Sequence, residues 1–267
     1  MVDWESILKQ AGERVQEISD RLKGSKTGLE AQGMGAGGDI TMRVDSEAEE
    51  SIVELVRGVR DVRVVTEEAG VIGGGAGSRW TVVVDPIDGS SNYARGLPFY
   101  CTSIAVLEGE SLEHVKYGLV RNLTNGDSYF AEKGHGAERD GKAITTSTAR
   151  ELEVSCVGID MSKASLATVK RLVPLLAAVR KPAHFGANAL EQCFLADGKI
   201  DAFVDLRDRM RVVDFAAGYL ISKEAGAVLS DGTGRRVNTR VSLEEKFNVV
   251  AANNPVLHKK ILETLNP

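Results

Sequence analysis

Little in this sequence is basic, sulfur-rich or continuously apolar. The net charge is −5, so no global basic field invites nucleic acid. No apolar run approaches membrane-spanning length. Met1 leads into Asp3-Trp4-Glu5 rather than into a basic, apolar signal segment. A cytoplasmic protein with no nucleic-acid or membrane partner is expected. Cys101, Cys156 and Cys193 are odd in number, far apart and without CxxC spacing. They read as small buried residues in a reducing compartment, not as a disulfide frame or a zinc site. Aromatic residues make up only 5% of the chain, which leaves little surface on which to stack a purine. The remainder is ordinary for a globular protein: 43% hydrophobic and 27% charged over 267 residues. That is enough for a substantial core in one large or two smaller domains.

The chain is organised around Val82-Val83-Val84-Asp85-Pro86-Ile87-Asp88-Gly89-Ser90-Ser91-Asn92. Three β-branched residues drive a buried strand to its end. There two carboxylates stand three residues apart. Pro86 fixes its own φ and biases Asp85 towards an extended conformation. Gly89 permits a tight reversal, and Ser90 to Asn92 can open a helical turn. Acids held this close repel unless a positive charge sits between them, and carboxylate oxygens suit a hard divalent cation such as Mg²⁺. The amides of Gly89 to Ser91 can point at an anion. Asp-Pro or Asp-Gly alone would mark nothing more than a turn. The whole string, with a buried run in front of it, suggests a phosphate ester held against metal.

Helical spacing of Trp4, Ile7, Leu8, Ala11, Val15, Ile18 and Leu22 predicts an amphipathic helix over 3–23. Gly24 to Gly38 is glycine-rich and reads as a flexible connector or a mobile lid. After Asp39-Ile40-Thr41-Met42-Arg43-Val44-Asp45, the pattern Ser46-x-x-Glu49 predicts a capping box opening a second helix, with Asp45 just before it. Val62 to Val65 reads as a strand ended by Glu67-Glu68. Ile72 to Gly77 lacks both the Lys-Ser/Thr and the GxGxxG of nucleotide loops, so it reads as a surface turn. Strands are expected at Ser103 to Leu107, Val115 to Val120 and Ser128 to Ala131, forming an antiparallel sheet with a turn at Asn125-Gly126-Asp127. Gly134 to Gly141 reads as a polar connection. A domain boundary is expected near 145–152, giving an α+β unit over 1–148 and an α/β unit over 149–267. In the second unit Asp214 precedes the small, apolar Phe215-Ala216-Ala217-Gly218 and reads as a helix N-cap.

Glu67-Glu68, Asp85-Pro86-Ile87-Asp88-Gly89-Ser90 and Asp214-Phe215-Ala216-Ala217-Gly218, in that order and spacing, resemble the inositol monophosphatase family. Within it, the archaeal enzymes that act on both fructose 1,6-bisphosphate and inositol monophosphate are the most similar. The resemblance implies a five-layer αβαβα sugar-phosphatase fold of the α/β class, usually a homodimer. It implies that Glu67, Asp85, the Ile87 carbonyl, Asp88 and Asp214 bind two or three Mg²⁺ ions. Ser90, with Asp45 as its acidic partner, would activate the attacking water, and Glu67 would take part in catalysis as well as in metal binding. Phosphate would rest on Asp88, Gly89 and Ser90, with Asp205 and Arg207 against the sugar or inositol ring. The Gly24 to Gly38 stretch falls on the family's mobile catalytic loop. Met42 stands where the family usually has Thr. Ala183 stands where close archaeal relatives often have Arg, with Arg180 and Lys181 nearby. The expected activity is metal-dependent hydrolysis of a phosphorylated sugar or inositol, a reaction that needs large charge stabilisation. Two other readings compete with it: a 3′-phosphoadenosine or NADP phosphatase on the same scaffold, and a non-catalytic ligand-binding module.

Overall fold

The computed structural model describes residues 2–38, 40–75 and 77–266, so Asp39 and Ala76 of the stretches above lie outside the described residues. Helix α1 (Trp4–Leu22) begins where the Asp3 carboxylate accepts the Ser6 amide at 3.0 Å. In place of a structureless connector, the next segment forms a hairpin of β1 (Ala31–Met34) and β2 (Ile40–Met42). Helix α2 (Arg43–Val56) then starts one turn earlier than the Ser46 box predicts. Asp45, inside its first turn, accepts the Met42 amide at 2.8 Å. Asp45 does the work expected of Ser46 because a carboxylate there also favours the positive end of the helix dipole.

The first sheet is built from β3 (Val62–Thr66), β4 (Gly70–Gly73), β5 (Trp80–Asp88), β6 (Cys101–Glu108), β7 (Val115–Asn122), β8 (Ser128–Glu132), β9 (Ala137–Arg139) and β10 (Lys142–Ile144). Its order is β10-β9-β8-β7-β6-β5-β3-β4, antiparallel except for the β3–β5 pair. The short helix α3 (Ser90–Arg95) leaves the end of β5. Strands β4 and β9 correct the expected turn and polar connection. With β10 they are three or four residues long, at or next to the sheet's edges, too short to show an alternation.

The second sheet takes β11 (Cys156–Ile159), β12 (Lys181–Ala183), β13 (Ala202–Met210), β14 (Val228–Ser230) and β15 (Phe247–Ala252), in the order β12-β11-β13-β15-β14. Helices α4 (Leu166–Ala178), α5 (Asn188–Ala196), α6 (Ala216–Glu224) and α7 (Pro255–Leu265) lie between its strands or close the chain. Cys101 and Cys193 are buried as expected, whereas Cys156 is half-buried. No helix among the described residues is long and apolar enough to cross a membrane.

The side chains of β5 show why five layers result. Val82 and Val84 join the core formed with α1 and α2, while Val83 faces α5 and α6. The reverse face of the second sheet packs on α4 and α7 through Val157, Leu172, Leu175, Val204, Leu257 and Ile261. The stack is therefore α1/α2, first sheet, α5/α6, second sheet, α4/α7. Buried on both faces, a central valine contributes roughly 1.5 kcal/mol or more.

The middle layer sits very close to the first sheet. A Cβ added at Gly118 on β7 would lie 2.9 Å from the Ala217 carbonyl oxygen and 3.1 Å from its Cα. Backbone, unlike a flexible side-chain tip, cannot give way cheaply. Gly118→Val is expected to destabilise the protein by roughly 2–3 kcal/mol. Urea unfolding should show a lower midpoint at unchanged slope, and wild-type stability would contradict this close approach.

Candidate active site

The corner after β5 owes its shape to a bulge. Asp85 pairs with Ser103 and Asp88 with Cys101, so three steps on β5 oppose two on β6. Side chains three apart on a regular strand face opposite sides; one extra residue returns them to the same side. A bulge also tolerates Pro86, which has no amide to donate. The sequence Asp-Pro-Ile-Asp therefore turns two acids towards one cleft.

Glu67 reaches that cleft from the turn after β3. Glu49, buried on α2, braces the turn from below: its Oε2 accepts the Thr66 hydroxyl at 2.5 Å and the Ala69 amide at 3.1 Å. Asp214 arrives from the loop between β13 and α6. It lies one residue before the N-cap position, which is Phe215, and caps nothing. The N-cap expectation is corrected: Arg211 claims the Asp214 carboxylate, through its backbone amide at 3.3 Å and its Nε at 3.0 Å, both to Oδ2. One carboxylate oxygen from each of Glu67, Asp85 and Asp214 lies within 4.8 Å of the others. Asp88 is next to this set rather than in it. Its Oδ2 accepts the Ala189 amide of α5 at 2.7 Å, with the Cys101 thiol 3.6 Å away.

Burial and mutual repulsion dominate the electrostatics. Burial, then the charges of Glu67, Asp88 and Asp214, push the Asp85 carboxyl well above its ordinary value. Burial raises Glu67 to about 7, with Arg211 pulling the other way. Burial, then the nearby Asp214, raises Asp88 to about 7. Arg211 is a cation that no local pattern singles out. Its Nη1 is 2.7 Å from Glu67 Oε1 and its Nη2 2.9 Å from Asp214 Oδ1. The only hint was its position three residues before Asp214, a spacing that permits an ion pair across a turn.

The hairpin closes one side of the cleft. The Ala36 and Gly37 amides donate to the Glu68 and Glu67 carbonyls at 2.8 and 2.7 Å, and Thr41 donates its hydroxyl to Glu68. A Cβ at Gly35 would strike the Glu68 carboxylate, and one at Gly37 would strike Arg211. These two glycines serve close approach.

The remaining candidates divide. Asp45 is buried. One oxygen holds the Met42 amide, and Oδ1 has no hydrogen-bond partner. Burial, with help from Glu68, Glu67 and Glu49, lifts its carboxyl to about 8. The Ser90 hydroxyl donates to the Ile87 carbonyl at 2.8 Å, so in this structure it is not paired with Asp45. Gly89 takes φ 92°, a conformation that glycine adopts without strain. Asp205, on β13, is fully buried and gripped by Arg207 through Nε at 2.8 Å and Nη2 at 2.7 Å. Arg207 also holds Asp160 at 2.6 Å. Asp205 and Arg207 thus spend their charge on each other and lie outside the converging acids.

The cluster suits a hard cation. All its donors are carboxylate oxygens, and Asp85 Oδ1 is buried with no hydrogen-bond partner. A binding module that used hydrogen bonds alone would leave that oxygen, and the negative charge beyond what Arg211 offsets, uncompensated.

Comparison with known proteins gives concordant results. The profile of the inositol monophosphatase family matches residues 3–267. The chain is 34% identical to the fructose-1,6-bisphosphatase/inositol-1-monophosphatase of Methanothermobacter thermautotrophicus, over 98% of this chain and 96% of that one. It is 32% identical to the bifunctional NADP phosphatase/NAD kinase of Methanococcus maripaludis, over 96% of this chain but only 48% of that protein. Its fold superimposes on a crystal structure of an inositol monophosphatase–fructose 1,6-bisphosphatase with a TM-score of 0.86. That pair is 30% identical, and the match covers 98% of this chain and all of that one.

Proposed function

This chain belongs to the inositol monophosphatase family, and from that premise we propose that it is a Mg²⁺-dependent phosphomonoesterase acting on fructose 1,6-bisphosphate and myo-inositol 1-phosphate. The observation that carries this reading is the convergence of Glu67, Asp85 and Asp214 within 4.8 Å, from three distant parts of the sequence. These three acids, with Asp88 and the Ile87 carbonyl, would hold two or three Mg²⁺ ions. Bound there, Mg²⁺ supplies the charge stabilisation that attack on a phosphate monoester and departure of an alkoxide require. The chain's own groups do the rest. Asp88, Gly89 and Ser90 seat the phosphate at the turn into α3. Ser90 orients the attacking water in line with the ester bond. Asp45, held near 8 by burial, accepts the water's proton, since a base works best with its pKa close to the working pH. Arg207, fixed by Asp160 and Asp205, offers the face against which the ring of the substrate lies.

Two sheets joined between Ile144 and Cys156 support a division near 145–152 into two units, the second completing the site. A cytoplasmic homodimer fits the family. The NADP phosphatase relative keeps one nucleotide reading in play. The deciding measurement is phosphate release in Mg²⁺ from fructose 1,6-bisphosphate, inositol 1-phosphate, NADP and 3′-phosphoadenosine 5′-phosphate. Turnover of the first two is expected. Release from the nucleotides alone would move the substrate assignment, and no release from any of them would remove the enzymatic reading.

A further inference from the structure

Arg211 occupies the space between the acids. Its Nη1 takes Glu67 Oε1 at 2.7 Å, its Nη2 takes Asp214 Oδ1 at 2.9 Å, and its Nε takes Asp214 Oδ2 at 3.0 Å. Both oxygens of Asp214 and one of Glu67 are thereby engaged. We propose that Arg211 is a resident counter-ion of this cluster, one that competes with divalent cations for the same lone pairs and so sets the metal affinity of the site. The proposal rests on the metal-binding reading given above.

The geometry sets the two occupants in competition. A carboxylate lone pair directed at a guanidinium N–H is not available to an ion that needs it at about 2.1 Å. A divalent ion seated beside a retained guanidinium would also meet a like charge at short range. Such repulsion is strong at contact distance even near a protein surface. Water does little to screen it, because the side chain of Arg211 is only 14% exposed. The guanidinium is also closely held. β13 ends at Met210, the Arg211 amide is bound to Asp214 at 3.3 Å, and Nη1 donates to the Gly37 carbonyl of the hairpin at 3.4 Å. Gly37 has no side chain to intervene, and any Cβ there would collide with Nη1. Arg211 and a metal ion thus draw on one set of oxygens, and the binding of either weakens the other by the same factor.

A merely positioning role makes the opposite prediction. If Arg211 only held Asp214 in a ligand geometry, its loss would loosen the metal. Titration calorimetry with Mn²⁺ alone, near neutral pH and without substrate, separates the two. Arg211→Met is expected to bind Mn²⁺ about tenfold more tightly than wild type, and its chelated form to melt lower because Glu67 and Asp214 lose their partner. Arg211→Lys keeps the charge but cannot span both carboxylates; it is expected to bind Mn²⁺ with intermediate affinity and carries the test if Arg211→Met does not fold. In Arg211→Ala, added guanidinium at millimolar concentration should weaken Mn²⁺ binding, and in wild type it should not. Unchanged or looser Mn²⁺ binding in the variants overturns the proposal, as does indifference of Arg211→Ala to guanidinium. Wild-type protein that binds no Mn²⁺ at all would overturn the metal-site reading itself, a result distinct from the others.

Discussion

Asp88→Asn is expected to lower kcat for phosphate release by roughly a thousandfold or more, about 4 kcal/mol of transition-state stabilisation, while leaving the fold intact. Both halves of this expectation come from where the carboxylate sits. Asp88 Oδ2 accepts the Ala189 amide at the start of α5 at 2.7 Å, and the carbonyl oxygen of Asn can keep that bond. The other side-chain atom then becomes an NH₂ group within reach of the charges of Glu67, Asp85 and Asp214. It is a donor where an acceptor is needed, and it removes one unit of charge. A hard cation has no use for it. Because burial and Asp214 already strain the Asp88 carboxyl, raising it to about 7, neutralising it relieves repulsion in the metal-free protein. The chelated variant should therefore melt no lower than wild type. Steady-state phosphate release and thermal melts of the same preparation check both halves. Turnover close to wild type would refute the role given to Asp88; lost turnover with a collapsed melt would mean that Asp88 matters chiefly through α5.

The same corner shows how far the residues could be read unaided. Val82 to Asn92 was legible because several requirements agree within one short string: a buried strand, a proline where no amide is wanted, a glycine at φ 92°, and two acids. The convergence of Glu67 and Asp214 upon it was legible only through resemblance, since no local pattern reports a contact between distant segments. Where one signal has two physical meanings, the local reading failed. The glycines before Gly38 speak equally for flexibility and for close approach, and at Gly35 and Gly37 close approach prevails. An Asp ahead of an apolar helix is a cap unless a nearby cation claims it, and Arg211 claims Asp214. Ser46 and Asp45 both suit the first turn of a helix, and the carboxylate takes the amide. Arg211 itself lacks a sequence signature because its significance depends on Glu67, which only the fold brings within 2.7 Å.

Stripping the metal should abolish phosphate release, and it should also invert the usual response of an acid-rich protein to pH. Glu67 and Asp88 sit at about 7 in the folded chain, against about 4.3 and 3.9 when unfolded. Between those limits the folded state keeps protons that the unfolded state has shed. Stability of the chelated protein therefore falls as pH rises from about 4 through about 7, and Asp45, raised to about 8, carries the fall beyond that. Asp85, raised by the same burial and by the same neighbours, adds in the same direction. The total loss is expected to be on the order of a few kcal/mol, because the charge of Arg211 offsets part of the repulsion. Saturating Mg²⁺ is expected to act on these very oxygens. An ion that binds the folded chain alone contributes about 2.7 kcal/mol at a hundredfold excess over Kd. Protons compete with the ion below about pH 7, so the stabilisation by Mg²⁺ should be small near pH 5 and large near pH 8. Melting curves across that range, with chelator and with Mg²⁺, read this difference directly. A chelated protein that grows more stable from pH 5 to pH 8, or a Mg²⁺ increment of equal size at both ends, would show that the ion and the protons do not share Glu67, Asp85 and Asp88.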